Sequence, residues 1–143
     1  IGHATNDEVD RLGLSEARRT AARRAVDALA VRPDVVLLDG NWDFLAGYGT
    51  HNQLLVRGDS RSASIAAASI VAKVTRDRMM ERLHDRCPGY GWLTNVGYGT
   101  PEHRVGLARL GVTSHHRRSW RPVYNILHGI ADQCDDEETA LTV

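Results

Sequence analysis

The chain has 143 residues, with charged residues at 25% and hydrophobic ones at 42%, which fits one soluble globular domain large enough for a real core. No apolar run approaches the ~20 residues of a membrane-spanning helix, and no secretory signal is visible. The net charge is zero but uneven: Arg57 to Arg121 holds 12 basic residues against 5 acidic ones, which points one face towards an anionic partner.

The first residue is Ile1, and the opening Ile-Gly-His-Ala-Thr-Asn-Asp-Glu reads as the continuation of a longer chain. Thr5 or Asn6 is placed to cap a short turn through Val9. Ser15 then caps a helix from Glu16 to about Ala30, with Ala17, Ala21, Ala25, Ala28 and Leu29 on its apolar face. Arg18, Arg19, Arg23 and Arg24 read as its solvated side. Pro33-Asp34 punctuates, and Val35-Val36-Leu37-Leu38 is a β-branched and apolar run suited to a strand buried on both faces. It ends in Asp39-Gly40-Asn41. A carboxylate there stands at the C-terminal end of a buried strand, where open α/β sheets bind ligands; the plainer reading is turn chemistry.

Trp42 to Thr50 is glycine-rich and irregular. His51 to Arg57 reads as a second strand that ends in Gly58-Asp59, so two strands each deliver an Asp at the same kind of end. Paired carboxylates suit Mg²⁺ or Mn²⁺, which take oxygen ligands and leave positions open for a substrate phosphate. They suit metal-assisted phosphodiester hydrolysis.

Ser62 or Ser64 is a good N-cap for a helix running to Arg86 and stopping before Pro88-Gly89. Ile65, Ala68, Ala72 and Met79, with Ile70, Val71 and Val74 on the adjoining stripe, predict a packed core helix. Lys73 and Asp77 are four apart, so a surface ion pair is the simplest reading of them. The Gly- and Tyr-rich stretch from Tyr90 to Thr100 reads as a loop whose aromatics either pack or stack on a sugar or base. Pro101 fits the first turn of a helix followed by Glu102 to Gly111. Thr113 to Trp120 is dense in groups that bind phosphate, Pro122 to Ile130 reads as a last helix, and residues 131–143 read as an acidic, disordered tail. Cys87 and Cys134 show no metal-type spacing, and a reducing cytoplasmic setting is expected.

Taken together, these residues resemble ribonuclease HII, a metal-dependent endonuclease that cuts the RNA strand of RNA–DNA hybrids. Val36-Leu37-Leu38-Asp39-Gly40-Asn41 looks like the family's strand ending in a catalytic Asp. The stretch from Val56 to Asp77 (VRGDSRSASIAAASIVAKVTRD) looks like its longest signature, with the next catalytic Asp at Asp59. Gly97-Tyr98-Gly99-Thr100 with His103, and His115-His116-Arg117-Arg118-Ser119-Trp120, look like two further family segments. The likeness covers residues 1 to about 130. The family's Asp-Glu-x-Gly-Arg-Gly motif is absent: no Gly-Arg-Gly follows Asp7-Glu8. The chain is therefore expected to match the C-terminal two-thirds of such an enzyme. Val96 also stands where a Lys often precedes Gly-Tyr.

The resemblance implies an RNase H-like α/β fold over residues 1–130, with a mixed sheet flanked by helices and a C-terminal helical region. It implies Asp39 and Asp59 as catalytic, Mn²⁺- or Mg²⁺-binding carboxylates. It implies Tyr98 stacking at the sugar of an RNA–DNA junction, Lys73 and Arg76 as nucleic-acid contacts, and Asp77 as a supporting carboxylate behind them. The substrate would be an RNA–DNA hybrid or duplex DNA with embedded ribonucleotides, and the full-length form a monomer. A rival reading is a non-catalytic nucleic-acid-binding or interaction fragment. A third is an unrelated α/β site for a small phosphate, built on Asp39 and the helix start near Ser64.

Overall fold

A computed structural model of the chain describes residues 1–130; the acidic tail lies outside the described residues. Helix α1 (Asn6–Asp27) leads into the parallel strands β1 (Val36–Asp39) and β2 (Asn52–Leu55). A short 3-10 turn (Gly58–Ser60) then opens α2 (Ala63–Arg86), followed by α3 (Trp92–Asn95), α4 (Pro101–Leu110) and α5 (Arg121–Leu127). No helix among the described residues is long and apolar enough to cross a membrane.

Local chemistry sets the first helix. Thr5 accepts from the Glu8 amide while Glu8 reaches back to the Thr5 amide, a reciprocal cap. Gly13 leaves helical geometry at φ 78°, so two helical pieces meet there at a kink, close to the two expected from sequence. Its arginines are solvated only in part: Arg18 and Arg24 are exposed as expected, Arg19 and Arg23 half-buried. Arg18 and Arg19 lie 5.4 and 5.1 Å from the Trp42 ring centroid, and Arg23 lies 5.4 Å from that of Tyr48. Arg24 pairs with Glu8 at 2.6 Å. The arginine face thus packs the irregular β1–β2 connection onto α1 through cation–π contacts, with the Tyr48 hydroxyl donating to Asp27.

The strands pair in register from Val36 opposite Asn52 to Asp39 opposite Leu55. The expected mixed sheet is, among the described residues, a two-stranded parallel one in a mostly helical chain. Nor is β1 buried on both faces: Leu38 is buried, but Val36 and Leu37 are only half-buried, and Val35, just before the strand, is exposed. Leu38, Leu45, Ala17 and Ile65 are the buried apolar residues of this half.

The second half holds the denser core. Tyr90, Trp92, Leu107 and Val123 form one buried cluster, joined by Met80, Leu83, Cys87, Val112 and Trp120. Thr100 caps α4 by accepting from the His103 amide, with Pro101 in the first turn, as the local sequence predicts. Helix α2 has the predicted bounds, yet only Ile65 on it is buried. Ile70, Val71 and Val74 are 62%, 52% and 41% exposed, so the predicted core helix is packed only at its start and along its second half. The apolar stripe is real, but no element among the described residues lies over its middle.

Candidate active site

Both strands run in the same direction, so their C-terminal ends share one edge of the sheet. Asp39 is the last residue of β1, and Asp59 sits in the 3-10 turn just beyond β2. The corner between β2 and α2 is tightly built. Arg57 takes the left-handed conformation at φ 54° and ψ 45°, which turns the chain sharply out of the strand. The amides of Ser60, Arg61 and Ser62 then donate back to the carbonyls of Arg57 and Gly58.

The two carboxylates are tied to this corner. Asp39 Oδ1 accepts from the Gly58 amide at 2.7 Å, across the strand ends. Asp59 Oδ1 accepts from the Ser60 amide at 2.8 Å and lies 3.3 Å from its hydroxyl. In each case one oxygen is fixed by the backbone, and both residues are solvent-exposed. Gly58 is buried between them. A Cβ there would lie 2.5 Å from Ile65 Cδ1, 3.2 Å from Asp39 Oδ1 and 3.3 Å from Leu55 Cβ. The absent side chain is what lets Asp39 reach the corner.

This donor set is all oxygen, which fits Mg²⁺ or Mn²⁺ better than a softer metal. The cradle around Gly58 orients Asp39 without consuming its second oxygen. Among the described residues, no group of three or more His, Cys, Asp and Glu side chains is placed to hold a metal.

The remaining candidates lie along α2 and the loop after it. Lys73 Nζ binds Asp77 Oδ2 at 2.6 Å, the simple surface pair expected from their spacing. Arg76 donates from Nη1 to the Val96 carbonyl at 2.5 Å, and its guanidinium lies 5.1 Å from the Tyr98 ring centroid. Tyr98 is 65% exposed. Asp7 and Glu8 lie far along the chain from these groups, in the first turn of α1, where Glu8 is held by Thr5 and Arg24. The hydrogen bonds from Arg24 and the Thr5 amide lower its pKa to about 2.

The His-Arg-Arg-Ser stretch is anchored through its backbone and Ser119. Asp10 accepts from the amides of Arg118 and Ser119 and from the Ser119 hydroxyl, and Asn6 donates to the carbonyls of Ser114 and His116. Burial works to raise the Asp10 carboxyl, but those hydrogen bonds from Ser119 and Arg118 hold it below its ordinary range. His103 and His116 are buried among Tyr90, Trp92 and Trp120, their rings 5.3 Å apart. His116 Nδ1 accepts from the Thr113 amide, while its buried Nε2 has no partner among the described residues. Burial, with His103 close by, lowers its pKa to about 4. Sequence reasoning missed the roles of Asp10, Asn6 and Asn95. Their partners are far away or in backbone, and no motif marks them.

Comparison with known proteins gives the family and the fold. The family model for ribonuclease HII matches residues 1–123. Ribonuclease HII of Cereibacter sphaeroides is 51% identical over 128 residues, covering 90% of this chain and 60% of the relative. That of Jannaschia sp. is 50% identical over 129 residues, covering 90% and 64%. The crystal structure of the ribonuclease H2 from Pyrococcus horikoshii OT3 superposes with a TM-score of 0.69 at 23% identity, over 87% of this chain and 66% of that one, a likeness of fold. The chain thus spans about 60% of the length of the curated relatives it matches. With a family model covering most of its length and relatives at about half identity, the chain belongs to the ribonuclease HII family.

Proposed function

We propose that this chain carries the Asp39–Asp59 part of a divalent-metal endoribonuclease site. The site would act on the RNA strand of RNA–DNA hybrids, including ribonucleotides embedded in duplex DNA. The observation that carries this reading is that Asp39, at the end of β1, bonds to the Gly58 amide beside Asp59, in the turn just beyond the parallel β2, in a chain of this family. Asp39 and Asp59 would hold Mn²⁺ or Mg²⁺, each through the oxygen its backbone bond leaves free. When bound, such a metal activates water for attack on the phosphodiester and steadies the leaving oxygen.

The chain's own residues do the rest. The Gly58 amide fixes the rotation of the Asp39 carboxylate. Tyr98 offers an exposed ring to the sugar at an RNA–DNA junction. Lys73 supplies positive charge on α2, restrained by Asp77. Phosphate contacts make binding fall with salt, and the 2′-hydroxyl with A-form shape sets substrate choice, with little readout of base identity.

The test is to incubate the chain with duplex DNA carrying one ribonucleotide, with Mn²⁺ and with Mg²⁺, beside Asp39→Asn. Metal-dependent cutting that disappears in the variant supports the enzyme reading. The absence of a third metal-suited carboxylate or imidazole among the described residues favours one alternative, a non-catalytic nucleic-acid-binding fragment. That alternative predicts hybrid binding without cutting, unchanged or improved by Asp39→Asn.

A further inference from the structure

Arg76 is tied in the structure to Tyr98, another candidate nucleic-acid contact beside it. Its Nη1 donates to the Val96 carbonyl, and its guanidinium lies 5.1 Å from the centroid of the Tyr98 ring. The turn it meets is unusual. Val96 is β-branched yet sits in the left-handed region at φ 41° and ψ 38°, and Gly97 follows at φ 81°. A left-handed Val is costly and persists only where its surroundings hold it.

Two holds are visible. From inside, the buried Asn95 donates to the Tyr90 carbonyl at 2.8 Å and accepts from the Gly97 amide at 2.9 Å, while its own carbonyl takes the Tyr98 amide at 2.8 Å. From outside, the turn lies directly on α2: a Cβ on Gly97 would sit 2.9 Å from Met80 Cε and 3.3 Å from Arg76 Nη2. Arg76 closes this outer side, and its planar fork lets one N–H reach the carbonyl while the guanidinium lies against the aromatic ring.

We propose that Arg76 is a positioning residue, which clamps the Val96–Gly97 turn and supports one face of Tyr98 so that the exposed phenol ring meets nucleic acid in a fixed orientation. This rests on the reading of Tyr98 as a nucleic-acid contact. It replaces a phosphate contact by Arg76 with a structural task that charge alone does not perform. A phosphate contact tolerates Lys, because an ammonium serves as a point charge. The clamp does not, because Lys lacks the planar fork.

The experiment compares the full chain with Arg76→Lys, Tyr98→Ala and the double variant. Hydrogen exchange at the Gly97 and Tyr98 amides is read without nucleic acid, and binding to a DNA duplex carrying one ribonucleotide is read by fluorescence anisotropy. The expected result is about tenfold faster exchange in Arg76→Lys, the scale of one lost charge-assisted hydrogen bond. Duplex binding should weaken as much as in Tyr98→Ala, with no further loss in the double variant. Parent-like exchange and binding in Arg76→Lys would overturn the proposal, whatever Tyr98→Ala does. Faster exchange in Arg76→Lys, with parent-like binding by Tyr98→Ala, would uphold the clamp and refute the reading of Tyr98 on which its purpose rests.

Discussion

Replacing Gly58 by Ala tests how the corner beneath the two carboxylates is built. Gly58 has no positive φ, so the substitution carries no backbone strain of that kind; the whole effect is space. The new methyl would lie 2.5 Å from Ile65 Cδ1, well inside van der Waals contact, and 3.2 Å from the Asp39 oxygen that bonds to the Gly58 amide. Ile65 is only 7% exposed and Leu55 stands on the other side, so neither the turn nor α2 moves freely. Overpacking of this kind costs about 1–3 kcal/mol. Urea unfolding should show the midpoint falling with the m-value unchanged. Ile65→Val deletes the clashing Cδ1 and alone costs about 0.5–1.5 kcal/mol. In the Gly58→Ala background it should cost less than that or stabilise, giving a coupling of about 1 kcal/mol. Strict additivity of the two changes, or a Gly58→Ala protein as stable as the parent, would refute the steric reasoning.

Other consequences are equally open to measurement. His116 is neutral and buried with a pKa lowered to about 4 from 6.5, so the folded state binds fewer protons than the unfolded one between those values. Stability is then full above pH 6.5 and falls as pH drops towards 4, by about 1–2 kcal/mol after allowance for solvent screening; denaturation midpoints at pH 7.5 and 4.5 should differ less in His116→Gln. Asp10 is depressed below its ordinary value, so its contribution is present above that value and lost as pH falls further. Asp10→Ala should cost about 1 kcal/mol at neutral pH and raise proteolytic cleavage around Arg118 and Ser119, whose amides donate to it. Leu107 has no exposed surface, and Leu107→Ala should cost about 2–5 kcal/mol in thermal or urea unfolding.

What was legible in the sequence is what local chemistry decides. The end of β1 at Asp39, the bounds of α2 and the start of α4 at Pro101 follow from apolar runs, polar helix starts and proline placement, although Ser62 at the start of α2 makes no side-chain capping bond. The pairing of Lys73 with Asp77 follows from helical spacing alone. What failed depended on partners distant in the chain. The arginines of α1 read as solvated because nothing near them reveals that Trp42 and Tyr48 will lie against them. The apolar stripe of α2 was correctly seen, but a stripe does not say what covers it, and Ile70 and Val71 stand exposed. The histidine and arginine stretch is rich in groups that bind phosphate, but composition does not reveal that Asp10 and Asn6, more than a hundred residues earlier, hold its backbone. At the candidate site, Asp39 is a strand end as expected, but the second strand stops at Leu55, short of the expected Arg57, so Asp59 lies in the turn beyond it; the fit of Gly58 between Asp39 and Ile65 is visible only in three dimensions.

The claim at the centre is that Asp39 and Asp59 jointly hold a divalent cation. A titration of ¹⁵N-labelled chain with Mn²⁺ tests it directly, through paramagnetic broadening of individual amides. The account predicts early, selective broadening at Gly40, Gly58 and Ser60, reversed by excess Mg²⁺ and lost in both Asp39→Asn and Asp59→Asn. Broadening that centres elsewhere, or that persists at those amides in either variant, would contradict it.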